Sequence, residues 1–245
     1  MVKVAIVIFV IGDHYINSFN NIFRKNIEIY CKKYNYDFII INKLIRYEEN
    51  IPKKKFYWQR MLLPNEFKEY DFLISMDSDI YINPNSPPLP LDEIPPGKVA
   101  AVNERKYFGN YEWRETIQIK SGWEKTGKEW HALSGEIKDY NDHINGGLVI
   151  YQPKYHAECF KELYEKNIDN YLKYHQDDQS IISTYIIDND MVYWLDERFN
   201  RIWKELFYPN FNSLSYENKK LLVSNFINLN YFTHFTSGSD INLIL

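Results

Sequence analysis

Two carboxylates one residue apart close an apolar run in "YDFLISMDSDIYINP", Tyr70 to Pro84. Asp77 and Asp79 flank Ser78, and the chain is apolar again at Ile80-Tyr81-Ile82. In an extended chain residues i and i+2 point to the same side, so both carboxylates face one way. Two anions held that close destabilise a fold unless a cation or hydrogen-bond donors neutralise them. A hard divalent ion, Mg2+ or Mn2+, is the natural partner, and such an ion also takes phosphate oxygens. A plain Asp-rich turn is the alternative. The strongly apolar residues on both sides favour a site.

Three further clusters carry chemistry. In "THFTSG", Thr233 to Gly238, His234 follows a strand-like "NYF". A lone histidine is more often structural, but a neutral imidazole would complete a metal site with two carboxylates. The hydroxyls and backbone N–H groups after it suit phosphate. "DDQS", Asp177 to Ser180, opens a helical stretch. One Asp serves as an N-cap, which leaves the other and Gln179 to be explained. Arg60, inside "FYWQRMLL" and preceded by Lys53, Lys54 and Lys55, is expected to pair with an anion or a carboxylate.

The elements that position these residues follow from apolar periodicity. "KVAIVIFVI" is a continuous β-branched run of the kind buried on both faces. Gly12 and Asp13 turn the chain, and Asn17 to Tyr34 carries apolar residues at helical spacing. "YDFIIIN" is a second strand, so a right-handed β-α-β start is the default. "FYWQRMLLPNEF" reads as a helix broken near Pro64, and the Asp77 segment is the third long strand. Asn83 to Gly97 holds six prolines and reads as a surface crossing, since "KVAAVN" resumes as a strand. "HINGGLVIYQP" and "MVYWLDERFN" each contain a strand, with helices over Ala157 to Tyr174 and after Asp178. This predicts an α/β fold in one domain with a mixed sheet. Ligands in such sheets sit at the carboxyl edge, where Asp77 and Asp79 fall.

Bulk properties narrow the partners. A net charge of −4 argues against a general nucleic-acid binder. Cys31 and Cys159 form no framework or metal motif and fit a reducing compartment. The run from Val4 to Ile11 is too short to span a bilayer and lacks the marks of a signal peptide, so a cytoplasmic location is expected. Aromatic residues reach 17%. Core packing accounts for most of them, but Trp113, Trp123 and Trp130, in the polar stretch Tyr107 to Tyr140, also suit sugar stacking.

The segment "FYWQRMLLPNEFKEYDFLISMDSDIYI" resembles the central segment of GT-A-fold glycosyltransferases. It is closest to the retaining family that includes glycogenin and bacterial lipopolysaccharide galactosyl- and glucosyltransferases (glycosyltransferase family 8). The similarity continues in order through "INGGLVIYQP", "DDQSII", "WLDERFN" and "HFTSG". It implies a Rossmann-like GT-A domain with a mostly parallel mixed sheet flanked by helices. Residues 1–105 would form the nucleotide-binding half and residues 106–245 the acceptor-binding half with the C-terminal metal ligand. It implies Mn2+ or Mg2+ on Asp77, Asp79 and His234, and a nucleotide-sugar donor, most naturally a UDP-sugar. Asp13 and Tyr15 would hold the base, Arg60, Asp77 and Ser78 the diphosphate, ribose or donor sugar, and Asn145 and Gly146 the donor sugar. Asp178 would bind sugar hydroxyls and Gln179 would lie near the anomeric carbon, with Asp177 as a stand-in if the register slips by one. The acceptor, a glycan, is expected against Tyr107 to Tyr140.

The chain departs from the pattern in two places. The family's lysine after the histidine segment is missing, since Gly238 is followed by Ser239-Asp240-Ile241. "DDQS" lacks the second Asp of the family's "D-Q-D". Retention therefore stands as an analogy, and inversion with Asp177 or Asp178 as base stays open. A sugar nucleotidyltransferase would open with a Gly-rich basic loop, which "VIGDHYINS" is not. A non-catalytic carbohydrate-binding protein is the third alternative.

Overall fold

Strand β1 (Val4–Phe9) is buried along nearly its whole length. Val4, Ile6 and Ile8 pack on one face of the sheet and Ala5 and Val7 on the other. That double burial is why the sequence shows a continuous apolar run rather than alternation. The remaining strands are β2 (Asp37–Ile41), β3 (Phe72–Met76), β4 (Ile80–Ile82), β5 (Val99–Asn103), β6 (Ile144–Tyr151), β7 (Val192–Trp194), β8 (Arg201–Ile202) and β9 (Phe232–His234). The computed structural model describes residues 2–47, 53–107, 126–133, 135–174, 178–204, 210–236 and 240–243.

Among the described residues six strands form the central sheet in the order β2-β1-β3-β6-β5-β7. β1 runs parallel to β2 and β3, and β5 parallel to β7. β6 is antiparallel to both its neighbours. The sheet is therefore mixed and mostly parallel, as expected. A second sheet, β4-β9-β8, joins the chain just after Asp79 to the segment carrying His234. One face of the central sheet is covered by Phe19, Phe23 and Ile27 and by Trp203, Phe232 and Phe235 of the small-sheet region. The other is covered by Trp58, Met61, Leu62, Phe160 and Ile182.

Local chemistry explains several elements. The first helical region starts at Asp13, earlier than the periodicity suggests, and passes through a π turn at Phe19–Phe23 into the helix Arg24–Tyr34. Asn35, in left-handed conformation, ends it. Lys53–Leu62 is a 3-10 helix rather than the expected α-helix, and a short α turn, Leu63–Glu66, follows. Pro64 sits in the first turn of that α segment, where its missing N–H costs nothing. The proline crossing is tied down by donors from the first helical region. Asn26 exchanges two 2.7 Å hydrogen bonds with the backbone of Ile82, and Tyr34 donates to Ser86 O at 2.6 Å.

The β5–β6 ladder is interrupted. Ala101 pairs with Val149, but the next residue, Val102, pairs with Asn145. Gly146, Gly147 and Leu148 therefore bulge out of the β5 ladder, and bulges of this kind re-aim backbone groups beside functional sites. Among the described residues no helix is long and apolar enough to cross a membrane.

Candidate active site

The strand order decides where functional groups meet. The carboxyl ends of β1, β3, β5 and β7 share one edge, and β6, being antiparallel, begins at that edge. Asp77 and Asp79 follow β3 there, and Asn145 to Gly147 open β6 beside them. Asp77 N donates to Gly147 O at 2.9 Å, extending the β3–β6 pairing one residue beyond the strand.

A cavity of about 320 Å3 opens at this edge. Phe9, Tyr15 and Tyr57 supply its rings, and Arg60, Asp77, Asp79, Asp178 and Gln179 its polar groups, with Ser78 and Gly146 between them. The structure thus brings nine residues singled out from sequence to one place: Tyr15, Arg60, Asp77, Ser78, Asp79, Gly146, Asp178, Gln179 and, through the metal cluster, His234. Asp13 is exposed on the helical turn after β1 and does not line the cavity. Asp177 lies outside the described residues, as do Trp113, Trp123 and most of the stretch expected to read the acceptor.

Arg60 is the organising cation. It is 8% exposed, and its Nη2 donates to Asp77 Oδ1 at 2.8 Å while Nε lies 2.6 Å from Asp178 Oδ2. Nη1 donates to Gly146 O, a carbonyl that the bulge turns out of the β5 ladder. Burial pulls the guanidinium pKa down, but Asp178 and Asp77 outweigh it and drive the value up. Gln179 completes the corner, since its Oε1 accepts from Gly146 N at 2.7 Å. That backbone donor decides which end of the amide faces the bulge.

Asp77, Asp79 and His234 each present one ligand atom, and the three atoms lie within 4.8 Å of one another. His234 Nε2 is 3.2 Å from Asp79 Oδ1 and 3.7 Å from Asp77 Oδ2. β4 and β9 produce this meeting, because Ile80 pairs with His234 and Phe235 N donates to Asp79 O at 2.9 Å. Burial pulls the imidazole pKa down, yet Asp79 and Asp77 outweigh it and raise it. Two carboxylates and an imidazole in one corner are a donor set suited to Mn2+ or Mg2+. Gly147 makes room for the ring: a Cβ there would fall 2.5 Å from both Cε1 and Nδ1 of His234.

Behind the cavity wall lies a buried polar network that the sequence reading missed. Glu104, 2% exposed, receives His143 Nδ1 at 2.9 Å on Oε1 and Asn145 Nδ2 at 3.2 Å on Oε2, and it also pairs with Arg105. Burial pushes the Glu104 carboxyl up, but Arg105 and His143 hold it down near about 2. Asn145 Oδ1 accepts from Asn200 Nδ2 at 2.7 Å and from Gly147 N at 2.9 Å. The Asn145 amide is thus turned inward, to Glu104 and Asn200, while Gly146 takes the cavity wall. Trp130 stacks on His143 at 6.1 Å between ring centres, so it packs on this network. A signal existed: Glu104 directly follows an apolar strand, in the same relation that Asp77 bears to β3.

No family model and no curated protein sequence matches the chain. Solved structures do. A glycosyltransferase involved in the glycosylation of the major capsid of PBCV-1 matches at 14% identity and a TM-score of 0.58, covering 97% of this chain and 95% of that one. The galactosyltransferase LgtC, solved with donor and acceptor sugar analogs, matches at 14% identity and a TM-score of 0.53, over 94% of this chain and 86% of that one. The bifunctional glycosyltransferase WbbM matches at 15% identity and a TM-score of 0.60, over 96% of this chain and 46% of that one. The chain therefore has the GT-A glycosyltransferase fold, a single α/β unit with a mixed central sheet.

Proposed function

We propose that the protein transfers a hexose from a nucleoside-diphosphate sugar, most naturally a UDP-sugar, to a glycan or other acceptor, with Mn2+ or Mg2+ on Asp77, Asp79 and His234. One observation carries the reading. Two carboxylates and a histidine converge at the carboxyl edge of β3, beside a buried arginine. When bound, the ion supplies positive charge to the diphosphate and stabilises the leaving nucleoside diphosphate.

The protein's own groups divide the remaining work. Arg60 fixes Asp77 and Asp178 in one arrangement, so neither carboxylate has to be ordered when the donor arrives. Phe9, Tyr15 and Tyr57 offer rings to the nucleobase. Gly146, Asp178 and Gln179 face the donor sugar, and Asn145 sets the bulge behind them. In this reading residues 1–105 hold the nucleotide and residues 106–245 the acceptor and the third metal ligand. The free thiols Cys31 and Cys159 support a cytoplasmic setting.

Retention is the favoured outcome. The three carboxylates that line the cavity are already engaged, Asp77 and Asp178 by Arg60 and Asp79 by His234. Among the described residues that leaves no carboxylate in the cavity placed to act as general base. The bond from the anomeric carbon to phosphate oxygen breaks, the bond to the acceptor oxygen forms on the same face, and the acceptor proton passes to the departing phosphate.

The test is release of nucleoside diphosphate from a panel of nucleotide sugars, with and without Mn2+. Metal-stimulated release from one donor, lost in Asp79→Asn, supports the proposal. No release from any donor sinks it. Formation of a nucleotide sugar from a sugar phosphate would instead assign nucleotidyl transfer.

A further inference from the structure

Two cavities away from the Asp77 site share a wall. One, of about 490 Å3, lies at the carboxyl ends of β5 and β7, between Asn103, Lys106 and Trp194. The other, of about 380 Å3, lies between the loop Pro87–Pro90 and the rings of Tyr193 and Tyr231. Leu195, Asp196 and Arg198 line both, so the two cavities adjoin across these residues, and together they are taken as one groove with a divider in its floor.

The divider is built, not incidental. Arg198 Nε and Nη2 donate to Asp196 Oδ1 at 3.0 Å and Oδ2 at 2.6 Å. The guanidinium lies 4.3 Å from the Tyr231 ring centre, and Tyr231 N donates to Arg198 O at 2.9 Å. Nearby, Tyr193 donates to Glu93 Oε2 at 3.2 Å, tying the β7 ring to the far bank.

The groove begins beside the first site. Asn103 pairs with Ile144, two residues before Gly146, which lines the Asp77 cavity. Asn103 and Gly146 are thus offset along β6 by two residues, at the start of the bulge that carries Gly146 to the Asp77 cavity. From there the groove leads away over Trp194 to the prolines.

Its lining selects a ligand. Flat rings suit the apolar faces of pyranoses, and planar carboxylate, amide and guanidinium groups suit pairs of neighbouring hydroxyls. Asp92, Glu93, Asp196 and Glu197 outnumber Lys106 and Arg198, which disfavours a polyanion. We infer that the groove binds an uncharged oligosaccharide of at least two residues and, on the transferase reading above, guides it as acceptor toward Gly146.

The test needs no donor. Neutral gluco-, galacto- and manno-oligosaccharides of two to six residues are titrated into the full chain by calorimetry. Affinity is expected to rise with length in at least one series. Trp194→Ala and the exposed Arg198→Ala should each weaken the longest ligand at least tenfold, with a smaller effect on the disaccharide. No binding in any series, affinity independent of length, or binding unchanged in both variants overturns the inference. Binding of a proline-rich peptide in place of the sugars also overturns it. Absence of nucleoside diphosphate release with carbohydrate binding intact would remove the transferase reading alone. The reverse result would remove only the groove.

Discussion

Arg60 Nε lies 2.6 Å from Asp178 Oδ2 while its Nη2 donates to Asp77 Oδ1 at 2.8 Å, so one guanidinium joins the strand end and the helix Asp178–Asp188. Removing the cation leaves two carboxylates in the cavity lining without their shared counter-charge. Arg60→Ala should cost about 3–5 kcal/mol of stability, the usual range for a broken buried pair. Arg60→Lys should recover only part of it, because an ammonium lacks the fork that reaches both partners. Urea denaturation of the three proteins checks this; equal midpoints would refute it.

Metal binding is expected to be visible in stability. An ion at a hundred times its dissociation constant adds about 2.7 kcal/mol. For a domain of this size that is roughly 5–10 °C in Tm. Mn2+ should therefore raise Tm in the wild type and leave Asp79→Asn and His234→Ala unmoved. An equal rise in the variants would place the ion elsewhere.

Gly147→Ala tests the seat of the histidine. The added Cβ meets the His234 ring at 2.5 Å and Asn145 Oδ1 at 2.9 Å, so the ring must shift. Overpacking of this kind costs about 1–3 kcal/mol, and the Mn2+-induced rise in Tm should shrink or vanish. A variant with unchanged metal response would show that the ring has another place to go.

Acid stability should bear the mark of Glu104. Its carboxyl sits near about 2 in the fold, against an ordinary value of 4.5. A depressed carboxyl stabilises the fold above its ordinary value, and that contribution is lost as the pH falls through the folded value. On the order of 3 kcal/mol should therefore disappear between about pH 4.5 and 2. In Glu104→Gln this part of the pH dependence should be absent, as measured by urea midpoints across that range. A variant curve parallel to wild type would assign the acid transition to other groups.

Much of the framework was legible in the sequence, for physical reasons. β1, β3, β5 and β6 are buried on both faces and the edge strand β2 is half-buried on both, so each shows as an apolar run that needs no partner to be recognised. Arg60 was legible because a lone cation among apolar residues must find an anion. β4, β8 and β9 were harder to read, since two or three residues show no periodicity and their pairing joins distant segments. The bulge at Gly146 to Leu148 has no signal beyond two glycines, because it is a property of the β5 partner as much as of β6. The inward hydrogen bonds of Asn145 had no local signal, because its partners, Glu104 and Asn200, lie 41 and 55 residues away.

The pairing of β4 with β9 has a consequence for the order of events during synthesis. Ile80 finds its neighbour only when His234 has been made, about 150 residues later, and closing so long a loop is slow. Until then a nascent chain carries Asp77 and Asp79 without the histidine of their cluster, with Arg60 as the nearby cation. On the metal-dependent reading proposed above, affinity for the ion is gained as β9 docks on β4, so metal binding would report that pairing.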